Sequence, residues 1–168
     1  EALSEPELSH LHVDVIIGAF NTHKQLLKDM ALNRPYTTIY GLRPHLADLM
    51  ARVDLAIGAS GSTIWERMCS GLPSIIITTA ENQKPAAESL KKADLIQYIG
   101  HYTSIDKNLL SQKIVQMIND PGCLTEMSVQ NQLQVDGYGA SRVTELLCPT
   151  NVAALRLREA NSNDCILY

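Results

Sequence analysis

Short apolar runs alternate along this chain with stretches of helical spacing. Residues 13–18, 36–41, 55–59, 74–78 and 95–99 are brief and rich in β-branched or aromatic side chains, and they predict five strands. Helical spacing marks residues 24–31, the segment through Leu46, Leu49 and Met50, and the stretch after Ser62. Asn82 and Pro85 open another helix, with Ala86, Ala87, Leu90 and Ala93 on its apolar side. Three more helices are expected at 109–118, 124–133 and 140–147. Strands alternating with helices in this way predict an α/β fold, a parallel sheet with right-handed crossovers and helices on both faces. Residues 1–12, with Leu3, Leu8 and Leu11 apolar, read as the end of a helix leading into the first strand.

In an open parallel sheet, ligands sit beyond the carboxyl ends of the strands. The richest such end is Asp54-Leu-Ala-Ile-Gly-Ala-Ser-Gly-Ser-Thr-Ile-Trp-Glu66, closed by Ser70-Gly-Leu-Pro73. It reads as a buried strand, a turn of small residues and a helix that Ser62 would cap. Backbone N–H groups of such a turn are free to meet an anion, and the helix field favours one by about 0.3–1 kcal/mol. Glu66 lies far enough along the helix to accept hydrogen bonds from hydroxyls beside a phosphate, such as those of a ribose. A plain space-saving turn with an acidic residue near a helix start fits the same residues. The turn has Gly58 and Gly61 but no lysine, so it is not a P-loop, and no G-x-G-x-x-G follows the first strand. The loop at 79–83 stands at the next carboxyl end and faces the same crevice.

Composition narrows the partners. The 168 residues carry a formal charge of −4, which disfavours nucleic acid and anionic membranes as partners. No apolar run approaches transmembrane length, and no secretory signal opens the sequence, so a cytoplasmic setting is expected. Cys69, Cys123, Cys148 and Cys165 are scattered, without C-x-x-C or metal spacing to the histidines. Reduced thiols, no metal and no cofactor are the expectation, with Cys69 packed in a helix. Trp65 is expected to pack, because Glu66 takes the ligand side. His45 reads as an ordinary helix-start residue.

The block from Asp54 to Arg67, followed by Gly71-Leu-Pro-Ser-Ile-Ile-Ile and Glu81-Asn-Gln83, closely resembles the carboxyl-terminal half of the UDP-sugar hydrolases of pseudaminic acid biosynthesis. It is similar, more distantly, to the glycosyltransferases that make lipid II, and the same group includes relatives in spore-coat polysaccharide biosynthesis. These proteins share the glycosyltransferase-B architecture, two Rossmann-like domains with a nucleotide sugar in the cleft. The resemblance spans residues 1–147. It implies that Ser60, Gly61, Ser62 and Thr63 bind the diphosphate of UDP and that Glu66 holds the ribose hydroxyls. It also implies that Leu42 and Arg43 face the uracil edge and that Asn82 and Gln83 reach the sugar. For Asn82 a pure helix cap fits nearly as well, and Arg43 also reads as a solvated loop charge.

The departures from this group shape the expectation further. The amino-terminal domain, with its glycine-rich loop and catalytic histidine, is not in the sequence, and neither is the first strand of the carboxyl-terminal domain. The expected sheet therefore lacks a central strand, leaving edges that either pair two copies of the chain or pair directly with each other. Residues 1–148 are expected to form the nucleotide-sugar-binding domain. Residues 149–168 are read as a tail or as the start of a further domain, since 152–158 alternate like a strand and 160–168 begin a helix. That segment is similar to the opening of coenzyme A-dependent acetyltransferases, without their pyrophosphate loop, so it implies no acetyl transfer. The reaction implied is attack on the anomeric carbon with departure of UDP, by water in a hydrolase or by an acceptor hydroxyl in a glycosyltransferase. The sequence supplies the leaving-group site and no general base. Alone, it is expected to be inactive; a module that only holds a nucleotide sugar, or an assembly domain, is the rival reading.

Overall fold

The computed structural model describes residues 1–147, so the expected strand at 152–158, the helix at 160–168 and the tail or further domain at 149–168 lie outside the described residues. In chain order the elements are β1 (Val13–Ile16), α1 (Lys24–Leu32), β2 (Thr37–Tyr40), α2 (Ala47–Met50), β3 (Ala56–Gly58) and α3 (Thr63–Cys69). Then follow β4 (Ser74–Thr78), α4 (Lys84–Lys92), β5 (Gln97–His101), α5 (Lys107–Ile118), α6 (Pro121–Gln134) and α7 (Gly139–Leu147). Every strand pairing is parallel, as crossover helices require. The fold is α/β, with helices flanking the sheets.

Among the described residues two sheets replace the single one expected: β1 pairs with β2, and β3, β4 and β5 pair in that order. The direct pairing of strands across the gap therefore does not form, since β1 and β3 belong to different sheets. Among the described residues each has one partner and one open edge, and Ile16 and Ile57 stay 44% and 39% exposed. Side chains join the two units instead. Arg52, just ahead of β3, binds the Asp14 carboxylate of β1 at 2.7 Å and the Tyr40 hydroxyl of β2.

The core is organised about β4. Neighbouring strand residues point to opposite faces, and Ile75 and Ile76 are both fully buried. Ile76 joins Ile64 and Met68 of α3, Ala87 and Leu90 of α4, and Leu95 and Ile96. Ile75 joins Leu8, Ile114 and Met117 of α5, and Met127 of α6. Burial on both faces explains why residues 74–78 read as a continuous apolar run rather than an alternating one.

At the amino terminus the expected helix is replaced by two 3₁₀ turns, Ala2–Ser4 and Pro6–Leu8. Pro6 has no N–H to continue a helix, and its ring restricts Glu5 to an extended backbone, with φ −63° and ψ 141°. Arg34 gathers carbonyls of this segment. Its guanidinium donates to the oxygens of Leu3, Leu8 and Leu11 at 2.9, 2.8 and 3.1 Å. We expect Arg34→Met to lower stability by about 2 kcal/mol, since several charge-assisted bonds go together. For a domain of this size that is a fall of roughly 6 °C in thermal melting.

Candidate functional site

The turn after β3 is set by what lies on either side of it. Behind it, α3 ends in a glycine-closed cap: Gly71, at φ +67°, donates to Met68 O, and the Leu72 N–H reaches back to Arg67 O at 2.8 Å. Leu72 and Pro73 then lead into β4, so α3 is held tightly between two parallel strands. In front, Ile64 N–H bonds Gly61 O at 3.0 Å and Trp65 N–H bonds Ser62 O at 3.1 Å, which starts the helix as a tight turn.

Ser62 does not cap α3 through its side chain. Its backbone is already helical, at φ −55° and ψ −33°, whereas a capping serine needs an extended one. At seven residues α3 is also short, so its dipole contributes less than the sequence implied. What remains at the turn is local. Ser60 is buried, and its hydroxyl oxygen has no partner among the described residues. The Glu66 carboxylate, half-buried, also lacks a hydrogen bond or ion pair among them.

Beneath the turn lies a residue that the sequence reading passed over as a role. Arg67 is 6% exposed, and its Nη2 donates to Ala59 O at 2.7 Å. A Cβ on Gly58 would run into Arg67 Nη1, so the glycine makes room for the guanidinium. Burial lowers the Arg67 pKa from its ordinary value, against the raising effect of Glu66 through space. The signal was present in the spacing: Ile64, Arg67 and Met68 fall at i, i+3 and i+4, the buried face of the helix.

The loop after β4 stands beside this turn, because β4 neighbours β3. It forms a 3₁₀ turn at Glu81–Gln83. The carbonyl of Gln83 accepts from the Thr79 N–H at 2.9 Å, so half of its amide folds the loop. Asn82 is exposed and caps neither helix; Ala80 and Gln83 hold those positions. Lys84 and Glu81 form an ion pair at 2.7 Å, which raises the lysine pKa and lowers that of the glutamate. At the ends of β4 and β5, buried Thr78 meets the Tyr98 hydroxyl at 3.1 Å and His101 Nδ1 at 3.2 Å, polar groups that no motif had singled out.

Leu42 and Arg43 follow β2 and so belong to the two-stranded sheet. Leu42 is 76% exposed. Arg43 is not a solvated loop charge: it pairs with Asp48 at 2.8 Å and lies over the Tyr40 ring. The strand order thus puts the Ser60–Glu66 segment and the Asn82–Gln83 segment after neighbouring strands, with Leu42 and Arg43 after a strand of the other sheet. Trp65 and Cys69, expected to pack, are both exposed. Among the described residues, no three His, Cys, Asp or Glu are placed to hold a metal, and no helix is long and apolar enough to cross a membrane.

Comparison with known proteins places this geometry. The chain is 20% identical over 142 residues to the spore coat polysaccharide biosynthesis protein SpsG of Bacillus subtilis (strain 168), covering 84% of this chain and 42% of that protein. In structure it is similar to the glycotransferase of kitacinnamycin, with a TM-score of 0.61 at 15% identity, over 82% of this chain and 42% of that one. That likeness shows a fold of the glycosyltransferase-B type. The chain spans about two-fifths of the length of both relatives. These relatives lend no support to a hydrolase activity, a pseudaminic acid substrate or an acetyltransferase fusion. The family model for the glycosyltransferase family 28 C-terminal domain matches residues 1–143, and the chain belongs to that family.

Proposed function

We propose that this chain is the donor-binding half of a glycosyltransferase that uses a UDP-sugar in polysaccharide biosynthesis. In this reading Ser60, Gly61, Ser62 and Thr63 hold the diphosphate, and Glu66 takes the ribose hydroxyls. Leu42 and Arg43 border the uracil, and Asn82 with the free half of the Gln83 amide borders the sugar. The observation that carries it is the unpartnered Ser60 hydroxyl, buried at the carboxyl end of β3. Leaving such a group unpaired costs about 1–3 kcal/mol, and a phosphate oxygen is the acceptor it lacks. Polar groups aimed at a departing diphosphate stabilise charge as it develops, which is how this half contributes to transfer. The base that activates the acceptor comes from elsewhere in the enzyme, so the chain alone turns over no UDP-sugar.

Thermal melting with UDP, CMP and ADP tests the reading. At about a hundred times its dissociation constant a ligand adds roughly 2.7 kcal/mol of stability, which here is a rise of about 8 °C. That rise is expected with UDP and not with CMP or ADP. Equal responses to all three would remove the uridine assignment, and no response to any would make the turn a plain connection.

A further inference from the structure

We propose that Arg67 is a positioning residue whose buried charge, left without an acid partner, gives the turn its preference for a pyrophosphate over an uncharged nucleoside. The inference rests on the UDP reading above and assigns that site's selectivity for charge. Four observations carry it. The guanidinium is almost wholly buried, yet it donates to a backbone carbonyl, Ala59 O, rather than to an acid. Its Nε is buried with no partner among the described residues. Among the described residues no carboxylate forms an ion pair with it, and Glu66 acts only through space. Finally, Gly58 gives up its side chain to make the space.

A buried cation without a counter-ion is among the least favourable arrangements in a protein interior. Nothing about packing requires it. A methionine would fill the same space between Ile64 and Met68 without desolvating a charge. Arginine at this position therefore lowers the stability of the free protein, and the gain lies in what the charge meets when the site is filled. Its position defines that partner. The Ala59 carbonyl that Arg67 grips is one residue before Ser60, so the charge sits directly behind the turn assigned to the phosphates. The guanidinium both fixes the backbone of the turn and supplies the positive field for an anion on its outer side. An uncharged ligand gains only the first effect.

Calorimetric titration of the wild type, R67M and R67K with UDP and with uridine separates these contributions. R67M is expected to lose about tenfold more affinity for UDP than for uridine, the scale of one charge-assisted contact. R67K is expected to retain part of the UDP preference, and ligand-free R67M to melt no lower than the wild type. Gly58→Ala, which pushes the guanidinium aside without removing its charge, gives an independent reading if R67M does not fold, and the same loss of preference is expected. Equal weakening of UDP and uridine in R67M, or an unchanged ratio, overturns the role of the charge while leaving the site intact. Wild type that binds neither ligand overturns the site itself, and this inference with it.

Discussion

Ile76→Ala is expected to remove about 3–4 kcal/mol of stability, the cost of opening a cavity at a fully buried site. In a domain of this length that is a fall of roughly 10 °C in melting temperature. Ile76 is 0% exposed and touches the cluster built from α3, α4 and the Leu95–Ile96 entry to β5. Ile64 and Met68 in that cluster belong to the helix that carries Glu66 and Arg67. The cavity therefore loosens the seat of the ligand turn as well as the core, and the UDP response should weaken alongside stability. Urea melts of Ile76→Ala and Ile57→Ala provide the comparison. Ile57 lies on the open edge strand β3, 39% exposed, so its truncation should cost less than about 1 kcal/mol. Equal losses for the two would mean that β3 is covered in solution.

The same contrast explains how much of this fold was legible in the sequence. Strand β4 reads clearly because it is buried on both faces, so its apolar run needs no alternation to be recognised. Strand β5 begins two residues later than its pattern implied. Leu95 and Ile96 look like strand residues, but the Leu95 N–H closes on Leu90 O and Asp94 sits at φ +56°, so they belong to the turn that follows α4. Both are buried in the core, which is all that their hydrophobicity reports. The amino-terminal leucines mislead in the same way, since two 3₁₀ turns bury Leu8 as well as a helix would. Periodicity identifies a buried face, and a proline or a left-handed residue decides which backbone presents it.

At the site, the spacing makes the turn legible but not the buried cation beneath it. The sequence implies a helix start with a serine cap, whereas the helix is short and Ser62 caps nothing through its side chain. That cation, Arg67, lies on the buried face of α3 with Ile64 and Met68. A buried charge is visible in a sequence only as an exception to an apolar stripe, and it takes a structure to see that its partner is missing. The arrangement of the sheets was also beyond the pattern. Alternation predicts parallel strands but is silent on whether β1 and β3 share a sheet, because nothing local encodes an unfilled edge.

Glu66→Ala is expected to weaken UDP binding by about 10- to 100-fold, the loss of hydrogen bonds from two ribose hydroxyls to a charged acceptor. The carboxylate holds no hydrogen bond or ion pair among the described residues, so its removal should change melting without ligand by only a few tenths of a kcal/mol. Binding and folding are therefore separable at this position, as they are not at Ile76. Titration with UDP and 2′-deoxy-UDP isolates the contact. The wild type should prefer UDP, and Glu66→Ala should bind the two alike. The ratio of UDP to uridine affinity should survive the change, because it depends on Arg67 and the turn. If Glu66→Ala keeps the preference for the 2′-hydroxyl, another group reads the ribose and the carboxylate serves only to temper the buried guanidinium beside it.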